Sequence, residues 1–173
     1  MTYIALLRGI NVGGRVVKMA DLKDCLEGLR LRDVRTLLQS GNVVFEANGD
    51  TKSLKVKIEN GLTETFGYPA KVQVFNATAV AAIVSAYPFK ADDTEYQNYV
   101  IFIEGGLERA LAEEAVGIDE KVEVGDGAVY WQVKKGMTLK STFAQYLTKS
   151  KYRDFHTNRN MNTLQKLVAL AGE

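Results

Sequence analysis

The chain predicts an α+β fold of two ferredoxin-like (split βαβ) units in tandem, the second approximate and ending in a C-terminal helix. Three observations predict it. Short apolar runs of strand type alternate with segments whose apolar residues recur every three or four positions. In the first half their order reads strand, helix, strand, strand, helix, strand. After a polar, acidic stretch at residues 88–95 the second half starts the same way. We take 1–88 as a first unit bearing a glycine loop and 89–173 as a second unit with basic C-terminal helices.

Residues 3–8 are apolar enough for a buried strand, and Met19, Leu22, Leu26 and Leu29 fall on one side of a short helix. Residues 34–39 and 42–47 read as strands joined at Ser40-Gly41. Asn48-Gly49-Asp50 breaks the chain, and Thr51 is placed to cap a helix whose inner face is Leu54, Ile58, Leu62 and Phe66. Tyr68-Pro69 ends that helix before a strand at 71–75, and Val80, Ile83 and Val84 mark a short helix beyond it. In the second half, residues 96–103 are a strand, and Gly105-Gly106 opens a helix containing Leu107, Leu111 and Ala115. Residues 121–124 and 129–133 form a hairpin through Gly125-Asp126-Gly127-Ala128. A helix with Phe143, Tyr146 and Leu147 follows Ser141, and the last helix carries Leu164, Leu167, Val168 and Ala171. On this reading the second unit has a helix where the first has its final strand.

The 173 residues are 46% hydrophobic and 25% charged, as in ordinary globular proteins. No apolar run approaches the roughly 20 residues that span a bilayer, and no basic region precedes an apolar one at the N-terminus. With a single cysteine, Cys25, an internal disulfide is excluded, so a cytoplasmic protein is expected. The formal charge of +1 is unevenly spread. Residues 91–127 carry eleven acidic against two basic residues, a net of −9, and residues 128–173 carry a net of +6. Two solvated faces of opposite sign account for this, as do a nucleic-acid surface or a protein partner.

Three stretches have the residue types of a binding site. In the first, Arg8-Gly9-Ile10-Asn11-Val12-Gly13-Gly14 follows a strand and leads to a helix, where backbone N–H groups and the helix end suit an anion. It lacks the Gly-Lys-Ser/Thr of a P-loop and the glycine spacing of a dinucleotide fold. The second is Gln39-Ser40-Gly41-Asn42, a combination of turn formers. In the third, residues 157–163, three asparagines, two threonines and an arginine stand within seven positions. Asn160 is a natural helix cap there, with Thr157 and Asn158 as rivals, and Arg159 suits a carboxylate or phosphate.

A nucleophile would need the only histidine, His156, paired with Ser40 or Cys25. One His and one Cys are too few for a zinc site. No cofactor is called for, and whether the chain is an enzyme stays open. Tyr99, Phe102, Tyr130 and Trp131 sit on strands of the second unit, where related folds stack RNA bases. Alternation puts Tyr130 and Trp131 on opposite faces, so at most one of them is expected in the core.

The stretches 7–14, 19–22 and 39–45, with 157–163 followed by Lys166-Leu167, resemble a bacterial family catalogued as domain of unknown function 1697. That family's closing motif has tryptophan where this chain has Met161. The resemblance implies a soluble bacterial α+β protein of the cytoplasm and brings no activity, substrate or cofactor.

The favoured expectation is a site for a small anionic or nucleotide-like ligand. Arg8, Asn11, Gly13, Gly14, Gln39, Ser40 and Asn42 would line one side, and Arg159, Asn160 and Asn162 the other. The alternatives are a nucleic-acid module, with region 128–173 on phosphates and Tyr99 or Tyr130 on bases, and a protein-interaction module using the acidic 91–127 region. Membrane association is not expected, and the sequence is silent on oligomeric state.

Overall fold

A computed structural model describes residues 1–91 and 94–173. The described residues divide into two compact units, Met1–Val80 with Lys166–Glu173, and Ala81–Gln165. The chain therefore returns to the first unit at its end, a return that composition does not announce.

In the first unit, β1 (Thr2–Arg8), α1 (Met19–Gly28), β2 (Arg32–Leu37), β3 (Asn42–Glu46), α2 (Thr51–Phe66) and β4 (Lys71–Asn76) follow one another. The strands form an antiparallel sheet of order β2-β3-β1-β4, the split βαβ arrangement. Leu22 and Leu26 of α1 and Leu54, Ile58 and Leu62 of α2 pack on Tyr3, Ala5, Leu7, Val43, Phe45 and Val72. On the opposite face Ile4, Leu6 and Val44 are equally buried. Asp50, not Thr51, caps α2: its carboxylate accepts from the N–H and the hydroxyl of Ser53 at 2.9 and 2.8 Å. An acid in the residue before the helix offers two acceptors to the open N–H groups, where threonine offers one. Gly67, at φ +69°, ends α2 ahead of Tyr68 and Pro69.

After α3 (Ala77–Ser85), the second unit runs through β5 (Tyr96–Ile103), α4 (Glu108–Ala112), β6 (Glu120–Val124) and β7 (Val129–Lys134). It continues with α5 (Thr142–Leu147), α6 (Ser150–Arg153) and β8 (His156–Asn160), and α7 (Met161–Ala171) follows. Its sheet order, β6-β7-β5-β8, repeats the first. The expectation that a helix replaces the final strand is therefore corrected, because β8 is present and pairs antiparallel with β5 from Tyr99↔Asn160 to Ile103↔His156. The five residues His-Thr-Asn-Arg-Asn have no apolar alternation, and backbone pairing at a sheet edge makes them a strand. Helix α4 is also shorter than expected and stops before Ala115. Trp131, Phe143, Leu147, Tyr152 and Leu111 form the core on one face. Tyr130 and Trp131 do lie on opposite faces, yet both are buried, because this sheet too is covered on both sides.

One carboxylate ties this unit together. Glu120 Oε1 accepts from the N–H groups of Gly117 (2.6 Å) and Phe143 (3.0 Å). Its Oε2 accepts from Trp131 Nε1 (3.0 Å) and from the hydroxyl of Ser141. Ser141 also caps α5 through the N–H of Ala144. Burial pushes the Glu120 carboxyl up, but the hydrogen bonds, Ser141 foremost, more than reverse this and hold it below its ordinary 4.5. A carboxyl lowered in the folded state stabilises above its unfolded value and loses that contribution as pH falls through the folded one. Glu120→Gln is expected to cost about 3 kcal/mol at neutral pH in urea denaturation. It should also flatten the acid limb of the stability–pH curve, which wild type should show below pH 4.5.

Candidate functional site

The glycine loop leaves β1 after Arg8 and is shaped by left-handed residues: Gly9 (φ +64°), Asn11 (+55°), Gly13 (+62°) and Gly14 (+80°). Asn11 fastens it. Its Nδ2 donates to the Gln39 carbonyl at 2.8 Å, and its Oδ1 accepts from the Val17 N–H at 2.6 Å. The facing turn is fastened in the same way by Asn42, fully buried, whose Nδ2 donates to the Leu37 carbonyl (3.0 Å) and to Ser40 Oγ (2.7 Å). Gly41 is required between them: at φ +77° a Cβ would stand 2.7 Å from both Leu7 Cβ and Ile10 Cγ2. The first and second sequence motifs thus meet, and Asn11 and Asn42 spend their amides on shaping the backbone. The N–H groups of Gly13 and Gly14 make no hydrogen bond among the described residues, and both glycines are exposed.

Cations gather at this end of the sheet. Arg8 lies directly across from Lys71 of β4. Arg15 lays its guanidinium over the Tyr68 ring, 4.1 Å from the centroid, and its Nη1 reaches the carbonyl of Gly9, the residue after Arg8, at 3.4 Å. Glu59 answers Lys71: its Oε2 is 3.9 Å from Lys71 Nζ, while its Oε1 accepts from the Val72 N–H. The Tyr68 hydroxyl is buried and finds no hydrogen-bond partner among the described residues. Burial pushes its phenol up, and the Arg15 charge draws it partly back. Sequence reading missed Lys71 and Tyr68, which only the pairing of β4 with β1 and the close of α2 bring here.

The third motif lies in the second unit and splits between β8 and the start of α7. Arg159 is 9% exposed, and its Nη1 donates to Thr157 Oγ1 (2.6 Å) and to the Asn158 carbonyl (2.9 Å). Burial lowers its pKa to about 10, so it stays charged at neutral pH. Asn160 Oδ1 caps α7 by accepting from the Asn162 N–H at 2.9 Å, as its residue type suggests. Asn162 itself is exposed.

The nucleophile candidates have other work. Ser40 Oγ accepts from Asn42, and Cys25 Sγ is 3.3 Å from Thr65 Oγ1. His156 Nε2 stands 3.0 Å from the Leu147 carbonyl, which can only accept, so that nitrogen carries the proton. Tyr130 is no stacking platform: it is 3% exposed, and its hydroxyl donates to the Ile83 carbonyl at 2.8 Å. Tyr99 is half-buried and stacks on Trp131, centroids 5.0 Å apart. Among the described residues no three His, Cys, Asp or Glu side chains stand together as metal ligands, and no helix is long and apolar enough to cross a membrane.

A family model described as protein of unknown function (DUF1697) matches residues 1–130. The chain belongs to this family. The DUF1697 match takes in the glycine loop, the Gln39–Asn42 turn and Lys71, and it ends at Tyr130, before β8. The chain is also similar in fold to the solved structure of a conserved bacterial protein, SP0830, from Streptococcus pneumoniae. They share 23% identity and a TM-score of 0.83, over 99% of this chain and 98% of that one. No curated protein matches the chain.

In this DUF1697 protein the loop should depend on Asn11. Asn11→Ala is expected to cost about 2 kcal/mol in urea denaturation, since two hydrogen bonds go and a left-handed backbone stays. Fast amide exchange at Val17 would show the loop released, and protection at the wild-type level would mean that Asn11 does not hold it.

Proposed function

We propose that this protein binds a small anion of phosphate type at the end of β1. The observation that carries the reading is the pairing of Arg8 with Lys71. Two cationic residues directly opposite on neighbouring strands offer a dianion positive charge from both sides. Arg15 supports the reading, because the Tyr68 ring and the Gly9 carbonyl hold its guanidinium beside the same strand end. Gly13 and Gly14 add two N–H donors without side chains to block approach. Helix α1 begins without a side-chain cap at Lys18, which leaves its first N–H groups open as well.

The chemistry on offer is recognition. Arginine grips a phosphate or carboxylate with two parallel N–H donors and lysine adds a mobile point charge. No nucleophile with an oriented base accompanies them among the described residues, and the proposal is one of binding. In the wider reading Arg159, Asn160 and Asn162 would serve the same class of ligand. What supports it is only their chemistry, a buried guanidinium with asparagines beside it.

Titration of 15N-labelled protein with inorganic phosphate tests the site. Saturable shifts of the Gly13 and Gly14 amides are expected, with affinity at least tenfold weaker in Lys71→Ala and in Arg15→Ala. Added salt should weaken binding, because these cations are exposed enough to be screened. Gly13 and Gly14 amides that do not move at about 10 mM phosphate, where even a site worth about 3 kcal/mol is half full, would overturn the reading.

A further inference from the structure

A second recess lies wholly within the second unit, on the sheet face that carries Tyr130. Phe89, Lys90, Glu95, Tyr96, Lys121 and Gln132 line it, around a space of about 310 Å³. Strand pairing sets its floor: Lys121 of β6 stands opposite Gln132 of β7, and Gln132 opposite Asn98 of β5. Gln132 is only 5% exposed, and its amide is fixed. Nε2 donates both hydrogens, to the Lys90 carbonyl and to Asn98 Oδ1, each at 2.9 Å. The reverse orientation would set oxygen against two oxygens. Asn98 Oδ1 is itself held by the Tyr87 hydroxyl at 2.9 Å. Gln132 is therefore left with one unspent group, the Oε1 acceptor, as what it offers to the recess. Neither Lys90 nor Lys121 forms an ion pair among the described residues.

These groups ask for a composite ligand. An amide oxygen needs an N–H or O–H and repels a phosphate oxygen, so a bare anion does not answer it. The two ammonium groups attract an anion, and Phe89 and Tyr96 offer ring surface to a planar group. The space is far larger than an inorganic ion and lies at the lower end of small-molecule sites. We propose that this recess binds a nucleoside monophosphate. Its base lies against Phe89 and Tyr96, an exocyclic amino group donates to Gln132 Oε1, and the phosphate is held by Lys90 and Lys121. Glu95, the acid of the lining, accepts from the ribose hydroxyls. The anion site at the end of β1 belongs to the other unit and shares no residue with this one.

Isothermal titration of the full chain with adenosine monophosphate tests the proposal, with adenosine and inorganic phosphate as partial probes. Saturable binding of adenosine monophosphate is expected, tighter than either partial probe. Lys121→Glu, an exposed site whose change leaves the fold intact, should weaken it at least tenfold. Gln132→Met should weaken adenosine monophosphate and leave the phosphate titration unchanged. Because Gln132 also anchors Lys90, its circular dichroism must match wild type, and the lysine variant stands as an independent test. No saturation by about 10 mM would overturn the proposal, as would equal affinity in Lys121→Glu. Binding lost in Lys71→Ala but kept in Lys121→Glu would overturn it too and assign the nucleotide to the end of β1. Loss in Lys121→Glu with retention in Lys71→Ala supports this recess whatever becomes of the phosphate site.

Discussion

Everything else in the molecule is arranged around the inner strands of the two sheets, β1 and β3 in one and β5 and β7 in the other, which are hydrogen-bonded on both edges and largely buried on both faces. β1 pairs with β3 and β4, and β5 pairs with β7 and β8. A strand in that position has no solvent-facing side, so it must be apolar throughout, as Ile4 to Leu7 and Val100 to Ile103 are. Polar chemistry is thereby driven to the strand ends and to the neighbouring strands. Arg8 occurs where β1 runs out, and Asn98 is tolerated inside β5 only because Tyr87 and Gln132 satisfy its amide oxygen.

The two units solve one topology by different means. The first closes its core with a helix of 16 residues, capped at both ends and amphipathic along its length. Between its strands the second has only the short helices α4, α5 and α6, which gain little stability on their own. Glu120 offsets that weakness by joining the segment before β6, the centre of β7 and the start of α5 through four donors to one carboxylate.

The longer helices and central strands were legible because their burial leaves a periodic trace in the sequence, while the single turn of α6 left none. Leu54, Ile58 and Leu62 recur at helical spacing, and the Gly-Asp-Gly-Ala hairpin announces itself through residues that favour tight turns. β8 left no such trace. Its assignment to the sheet comes from backbone bonds that any sequence can make, and its side chains read as caps. The missed cover on the second face hid Tyr130 for a related reason, since a strand's own alternation shows two faces without saying what lies over either. The glycine loop was legible as a special backbone. The roles of Asn11 and Asn42 within it were not, because an asparagine that latches a turn and one that meets a ligand have the same one-letter code. Lys71, lone on its strand, became visible only through register with Arg8.

The return of residues 166–173 to the first unit bears on the order in which the chain can fold. During synthesis the glycine loop, α1, α2 and the first sheet emerge early, but their last segment follows 81–165. At about 5–20 residues per second those intervening residues occupy the ribosome for roughly 4–17 s. Throughout that interval the first unit exists without its closing piece, and Arg35 without the Glu173 carboxylate that it meets at 3.4 Å. The second unit is thus an insertion in the folding history of the first, and a nascent chain halted within it displays an incomplete domain to the chaperones and proteases of the cell.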